Sequence, residues 1–434
     1  MYYFITVLFI LLSAKGCFLY FSNIWWFLID LIIIWVGLEK GRFTKKDFKL
    51  LLIFSSLYIG FCTFRSVFLV HLPISFWISD VVFLFKFILT SFLYCAVLKD
   101  KAIFYLTRVI IHLAMISIPF YLLQLVSGDL VYKLGRLINL PPHVHDDVYT
   151  NFIIFTYVKL HAIRNSGFAW EPGAFGFFLN MGLLMHLLTN NFVLDKKVKW
   201  VVVAIITTLS TTSFIALLVI TFIFLRANGV KLATLLIFIV PVLFILIFQL
   251  PFLFEKIAYI YNRDSEDMNN IDFLSSWYYK RGQQMPLNRF SSMLYLIQLF
   301  GSNLIWGISN IYEDSVPILK TINISNGIFA FMAKYGLIGL AYLLSRCYVL
   351  FKKFTQSIEI SLYCLVVILI LGFGEQIFLI PLMMCFFFLY YYSEPETDEA
   401  DEEYIEEPEI PFTNRRGINS RRGIGISKMK QQMN

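Results

Sequence analysis

The stretch DVVFLFKFILTSFLYCAVL (80–98), followed after Lys99, Asp100 and Lys101 by IFYLTRVIIHLAMISIPFYLLQLVS (103–127), decides the class of this protein. Each run has the roughly 20 residues that a helix needs to cross a hydrocarbon core about 30 Å thick. A short lysine-bearing turn joins them, so the pair reads as a helical hairpin through a membrane. The pattern continues in both directions, with apolar segments at 2–14, 17–38, 49–70, 172–190, 198–211, 212–226, 230–249, 325–345, 358–373 and 376–392.

Composition agrees. Of 434 residues, 59% are hydrophobic and 15% charged, and the mean hydropathy is +0.72. A soluble core cannot hide that much apolar surface. The alternating segments of about ten residues that mark a β-barrel do not occur. The expectation is an all-α polytopic integral membrane protein with about twelve transmembrane helices and two large outward-facing loops, occupying residues 1–392. The opening MYYFITVLFILLSAKG lacks a basic n-region and a cleavage site, and reads as a retained first span. All six cysteines lie in or at the end of apolar runs without metal spacing, as reduced fillers.

Lys and Arg in the short loops set the orientation. EKGRFTKKDFK (39–49), Lys99, Lys101, Arg108, LDKKVK (194–199), Arg346, Lys352 and Lys353 belong to the cytoplasmic side. HLPISFWISD (71–80) has no Lys or Arg and belongs outside. Parity then makes 198–226 a hairpin turning at STTS (210–213), with both termini cytoplasmic. Two stretches too polar for lipid, 128–171 and 250–324, fall on the outer face, and loops of such length are usually functional. The tail 393–434, acidic and then basic, has little to bury and reads as a disordered cytoplasmic segment.

At the end of the first outer loop stands RNSGFAWEPGAF (164–175). Pro172 suits the first position of a helix. The free N–H groups of Gly173, Ala174 and Phe175 and the helix dipole would then form an anion site. Arg164 adds a fork-shaped cation matched to phosphate. Glu171 serves as cap, as orienter of Arg164 or as proton acceptor; pairing with Arg164 while capping the helix is its purely structural role. In the second loop, NRFSSMLYLIQLFGSN (288–303) carries Arg289, Ser292, Tyr295 and Gln298 on one side and Phe290, Met293, Leu294, Ile297 and Phe300 on the other. That is an amphipathic helix along the membrane surface. Arg263, Lys280 and Arg281 make the same loop basic. Arg65, Asp80 and Lys86 lie within spans, where charge is costly and faces a partner or a cavity. An Arg65–Asp80 ion pair is one reading and an outward cationic cavity, with Glu375 of GFGEQ facing it, the other.

PPHVHDD (141–147) gathers His143, His145, Asp146 and Asp147, a grouping common in polar loops. No HExxH, P-loop or GxSxG signature appears, so no metal and no cofactor is expected. The basic patches follow membrane topology, and nothing supports nucleic-acid binding.

RNSGFAWEPGAFGFFLN, the Ser/Thr-bearing TLSTTSFIALLVITF (208–222), NRFSSMLYLIQLFGSNLIWGISN with Arg289, Gly301 and Gly307, and SNGIFAFMAKYGLIGLAYLL (325–344) resemble motifs of bacterial O-antigen and capsular polysaccharide polymerases, relatives of the O-antigen ligases. The resemblance spans about residues 100–390. One departure is that Ser325–Asn326 stands where ligases tend to carry a histidine before the asparagine. The resemblance implies a metal-independent glycosyltransferase in the bacterial inner membrane. Donor and acceptor would both be polyprenyl-diphosphate-linked oligosaccharide repeats, with a chain-length regulator as a candidate protein partner. Arg164, Glu171 and Arg289 are the expected catalytic residues, with Asp146 and Asp147 as weaker bases. Arg65, Lys86, Gly173, Arg281 and Asn326 are the expected substrate-binding residues. A ligase moving finished polymer, and a flippase or secondary transporter of the lipid-linked sugar, are the alternatives. The transporter is disfavoured because the charged loop motifs cluster at the outer rim, not mid-membrane.

Overall fold

The computed structural model describes residues 1–137, 149–231, 270–281 and 284–393. The expected span 230–249, the PPHVHDD motif with Asp146 and Asp147, Arg263 and the tail beyond Ser393 lie outside the described residues.

The first half of the chain folds into α1 (Tyr2–Ser13), α2 (Phe18–Phe21), α3 (Asn23–Glu39), α4 (Lys45–Phe64), α5 (Ile74–Phe83), α6 (Leu89–Leu98), α7 (Ala102–Val126), α8 (Gly128–Arg136), α9 (Pro172–Thr189), α10 (Lys196–Thr207) and α11 (Thr211–Ala227). Longer helices follow at Gly327–Thr355 and Ile358–Gly374. Helix ends obey local chemistry. Thr44 accepts from the Asp47 amide while Asp47 accepts from the Thr44 amide at 2.7 Å, a complete capping box that starts α4. Pro172 occupies the first turn of α9, as its missing N–H allows.

Four helical runs among the described residues are long and apolar enough to cross a membrane: Lys45–Leu69, Ile74–Val126, Pro172–Thr189 and Gly327–Thr355. By length and composition the chain is a helical membrane protein. The expected number of about twelve spans is not met. Helix α1 has 12 residues and α10 has 12, about 18 Å each at the α-helical rise, short of the hydrocarbon thickness. The segment 376–392 is not one helix: a 3₁₀ turn at Ile377–Leu379 and short helices at Pro381–Met384 and Phe386–Tyr392 replace it. The runs 80–98 and 103–127 lie in the helical run Ile74–Val126, which is broken between α6 and α7 at Lys99 (φ 52°) and the 3₁₀ turn Lys99–Lys101. The STTS region does turn, with Leu209 at φ 48° between α10 and α11.

The fold is also not purely α. In the first long loop β1 (Tyr149–Asn151) pairs antiparallel with β2 (Thr156–Val158). In the second, β3 (Met285–Pro286) pairs parallel with β4 (Ile322–Asn323). Loop backbone packed on the protein must find partners, and these ladders supply them.

Helix α9 is the hub. Every residue from Pro172 to Leu188 is buried, and α7, α10 and α11 pack around it. Glycines permit the approach: a Cβ on Gly176 would meet Ser213 Oγ at 1.7 Å, and one on Gly182 would meet Ile110 Cγ2 at 2.6 Å. Helix α4, by contrast, exposes Phe48, Leu52 and Leu57, a face suited to lipid.

The second long loop is fastened to the helices at two places. Gly307 (φ 78°) sits in the kink of Gly327–Thr355 at Gly336 (φ 75°), where a Cβ on Gly336 would meet Ile305 O at 2.3 Å. Nearby, Arg65 and Asp80 form a fully buried ion pair. Helix Arg289–Phe300 forms where the amphipathic pattern requires. It turns Ser292 and Tyr295 inward and leaves Phe290, Leu294 and Ile297 exposed, so its outer face is the apolar one, fit for the lipid interface.

Candidate functional site

The site is built around the buried start of α9. The loop before it is tightly held. Asn165 donates to Ser117 Oγ (3.2 Å) and Thr207 Oγ1 (2.9 Å) and accepts from Gly167 N (2.8 Å). Gln124 donates to the carbonyls of Ala162 and Arg164 at 2.7 and 3.0 Å. This cradle aims Arg164. Its Nε donates to Thr208 O at 3.0 Å, while its two Nη groups have no hydrogen-bond partner among the described residues.

From the far side of the sequence comes Glu375, just past the helix Ile358–Gly374 and almost wholly buried. It accepts from Arg289 Nη2 at 3.2 Å, and Arg289 Nε donates to Gly374 O at 2.7 Å. The Glu375 carboxyl lies directly over Gly173: a Cβ there would meet Oε1 at 1.9 Å. The group at this helix end is therefore the protein's own carboxyl, which the sequence reading did not place there. A Cβ on Gly327 would meet Glu375 O at 1.9 Å, so both glycines are required by this close packing.

Glu171 stands beside it. It is the N-cap residue of α9, but its side chain makes no capping bond and, among the described residues, no ion pair with Arg164. Instead Oε1 accepts from Trp170 Nε1 at 2.7 Å, and the carboxyl is close enough to Glu375 to act on its charge. Burial pushes the Glu375 carboxyl well above the ordinary glutamate range, and the negative Glu171 adds to this; Arg289 opposes it. Burial lowers the Arg164 guanidinium from its usual value and Arg289 adds to this, against the pull of Glu375 and Glu171. All four groups act in one electrostatic field.

The other expected residues fall differently. Asn326 is buried; its Oδ1 caps the helix Gly327–Thr355 and its Nδ2 donates to Arg289 O at 3.1 Å, so it positions Arg289. Arg65 has no exposed surface and is bound to Asp80 and Lys334 O, which makes it a frame residue with no face for substrate. Lys86 donates to Asn23 Oδ1 at 2.9 Å and lies over Trp26 and Tyr20. Arg281 is exposed and stacks on Trp277 at 3.5 Å, with no contact to the four-residue group among the described residues. Ser325, at the place of the ligase histidine, donates to Leu287 O at 2.8 Å.

Lys15 was missed by sequence reading. It lies between α1 and α2, with Nζ 5.4 Å from the ring centres of both Tyr20 and Trp170. Burial lowers its ammonium to about 8, and Glu171 partly offsets this. A single lysine between two apolar runs was the available signal.

Comparison with family models, with curated proteins and with solved structures finds no match to this chain.

Proposed function

We propose that this chain is a glycosyltransferase that polymerises polyprenyl-diphosphate-linked oligosaccharide repeats into a surface polysaccharide at the outer face of the bacterial inner membrane. The observation that supports it most is the convergence of two arginines carrying unpaired guanidinium nitrogens with two carboxyls, Glu171 and Glu375, at the start of α9. In the proposed reaction an acceptor sugar hydroxyl attacks the anomeric carbon of the donor. The bond from that carbon to the diphosphate oxygen breaks, and the diphosphate leaves with the electron pair. The free Nη groups of Arg164 and Arg289 take up the developing charge. Glu171 accepts the hydroxyl proton. Because the Ser325 hydroxyl is engaged with the Leu287 carbonyl, the base is assigned to the carboxyl pair.

The test is chain growth by the purified protein in nanodiscs, with a lipid-linked repeat as both donor and acceptor. Arg164→Ala and Arg289→Ala are expected to remain inserted but to extend chains about a hundredfold more slowly, the cost of losing about 3 kcal/mol of charge stabilisation. Normal long chains from both variants would overturn the assignment. Movement of the lipid-linked repeat across liposomes without chain growth would replace the enzyme by a transporter.

A further inference from the structure

Beside the arginine–carboxyl group lies a cluster that the proposed reaction does not use. Lys15 has left-handed backbone geometry, φ 51°, a conformation non-glycine residues seldom adopt and one that recurs at functional positions. Its neighbour fixes it there. A Cβ on Gly16 would meet Phe168 O at 2.4 Å, and the Tyr149 hydroxyl donates to Gly16 O. The ammonium is thus held between the rings of Tyr20 and Trp170, 5.4 Å from each centre. Lys86 approaches the same Tyr20 ring at 5.9 Å and Trp26 at 5.1 Å. Lys15 has no hydrogen bond and no ion pair among the described residues, and Glu171, which acts on it through space, is bound by Trp170. A third ammonium, Lys334, is close enough to repel Lys15 but is paired with Glu313 at 3.7 Å.

Partly exposed Tyr20 and Trp170 offer flat apolar faces edged by polar atoms, the surface on which the C–H face of a sugar ring packs. The adjoining cations are lysines, compact point charges without the planar fork that grips a phosphate bidentately. The forks, Arg164 and Arg289, belong to the arginine–carboxyl group already described, with Arg289 bound to Glu375. We infer that Lys15, Lys86, Tyr20 and Trp170 form a second subsite that takes an acidic saccharide, a sugar ring bearing a carboxylate. The inference rests on the glycan-transfer reading and deepens it: the repeat unit held beside the carboxyl pair is an acidic one.

The test is equilibrium binding to the full chain in nanodiscs. The probes are a panel of uronic-acid trisaccharides, the methyl ester of each, and inorganic pyrophosphate. At least one acid is expected to bind about tenfold or more tightly than its ester, the effect of one charge-assisted hydrogen bond. Lys15→Met is expected to abolish that preference and Lys15→Arg to keep most of it. Pyrophosphate binding should weaken in Arg164→Ala and stay unchanged in Lys15→Met. In the unmutated protein, the preferred acid but not its ester should shield Lys15 from an amine-reactive label, a readout independent of the variants' folding. Equal binding of every acid and its ester, a preference that survives Lys15→Met, or loss of pyrophosphate binding in Lys15→Met would each overturn the inference. The last result would assign Lys15 to the diphosphate. Chain growth that still depends on Arg164 and Arg289 would leave the polymerase reading standing in any of these cases.

Discussion

Removing the Asp80 charge tests the frame that carries the second long loop. Arg65 and Asp80 both have 0% side-chain exposure. Arg65 donates through Nη2 to Asp80 and through Nη1 to Lys334 O at 2.7 Å, and its Nε has no partner. The other Asp80 oxygen accepts from Asn310 N at 2.7 Å and Ser309 Oγ at 3.1 Å. One carboxylate therefore ties the end of α4, α5 and the second long loop together, beside the kink at Gly336. Asp80→Asn preserves shape and keeps an oxygen for the two loop bonds, but strands a guanidinium without a counter-charge. Breaking a buried pair in this way costs about 3–5 kcal/mol. Arg65→Met with Asp80→Asn removes the stranded charge and gives up the bond to Lys334 O, worth about 1 kcal/mol. The double variant should therefore be about 2–3 kcal/mol more stable than Asp80→Asn alone, a coupling measurable as a double-mutant cycle. The assay is reversible unfolding of the purified protein in mixed micelles. A neutral Asp80→Asn, or a double variant no more stable than that single one, would refute the reasoning.

The remaining expectations concern the carboxyl pair. The folded protein holds the Glu375 proton above the ordinary value of 4.5, so the folded state binds a proton that the unfolded chain has released. Its contribution favours folding at acid pH and declines as pH rises above that value toward the folded one. Glu375→Gln should flatten the fall in stability as pH rises above the ordinary glutamate value, and unfolding curves of equal slope for both proteins would contradict this. Gly173→Ala places a methyl 1.9 Å from Glu375 Oε1; the side chain can swing away, so folding is expected to survive while chain growth is lost. Gly327→Ala meets the Glu375 backbone oxygen at 1.9 Å, which cannot swing away, and is expected to lower the unfolding midpoint as well. The reverse order of stabilities would count against the packing described.

The amino-acid sequence alone determined the solvent and several helix ends. Apolar runs such as 80–98 have no place in water, whatever their neighbours, and Pro172 starts a helix through its own ring and missing amide hydrogen. Arg164, Glu171 and Arg289 were legible as a group because charge at the rim of an apolar run is costly enough to be conspicuous. The tertiary structure alone decided which charges meet. Glu375 was assigned to the side of Arg65 and Lys86, yet it packs on Gly173 and binds Arg289, while Arg65 is consumed by Asp80. Helices such as α9, Ile358–Gly374 and the run through Lys86 are apolar nearly all round, so periodicity does not reveal their rotation about their own axes. That rotation is set by where small residues let two backbones approach, as at Gly173, Gly176 and Gly327, and by which broken segment ends beside which loop. Both depend on the packed neighbours, so the number of crossings and the pairing of Glu171 with Glu375 emerge only in three dimensions.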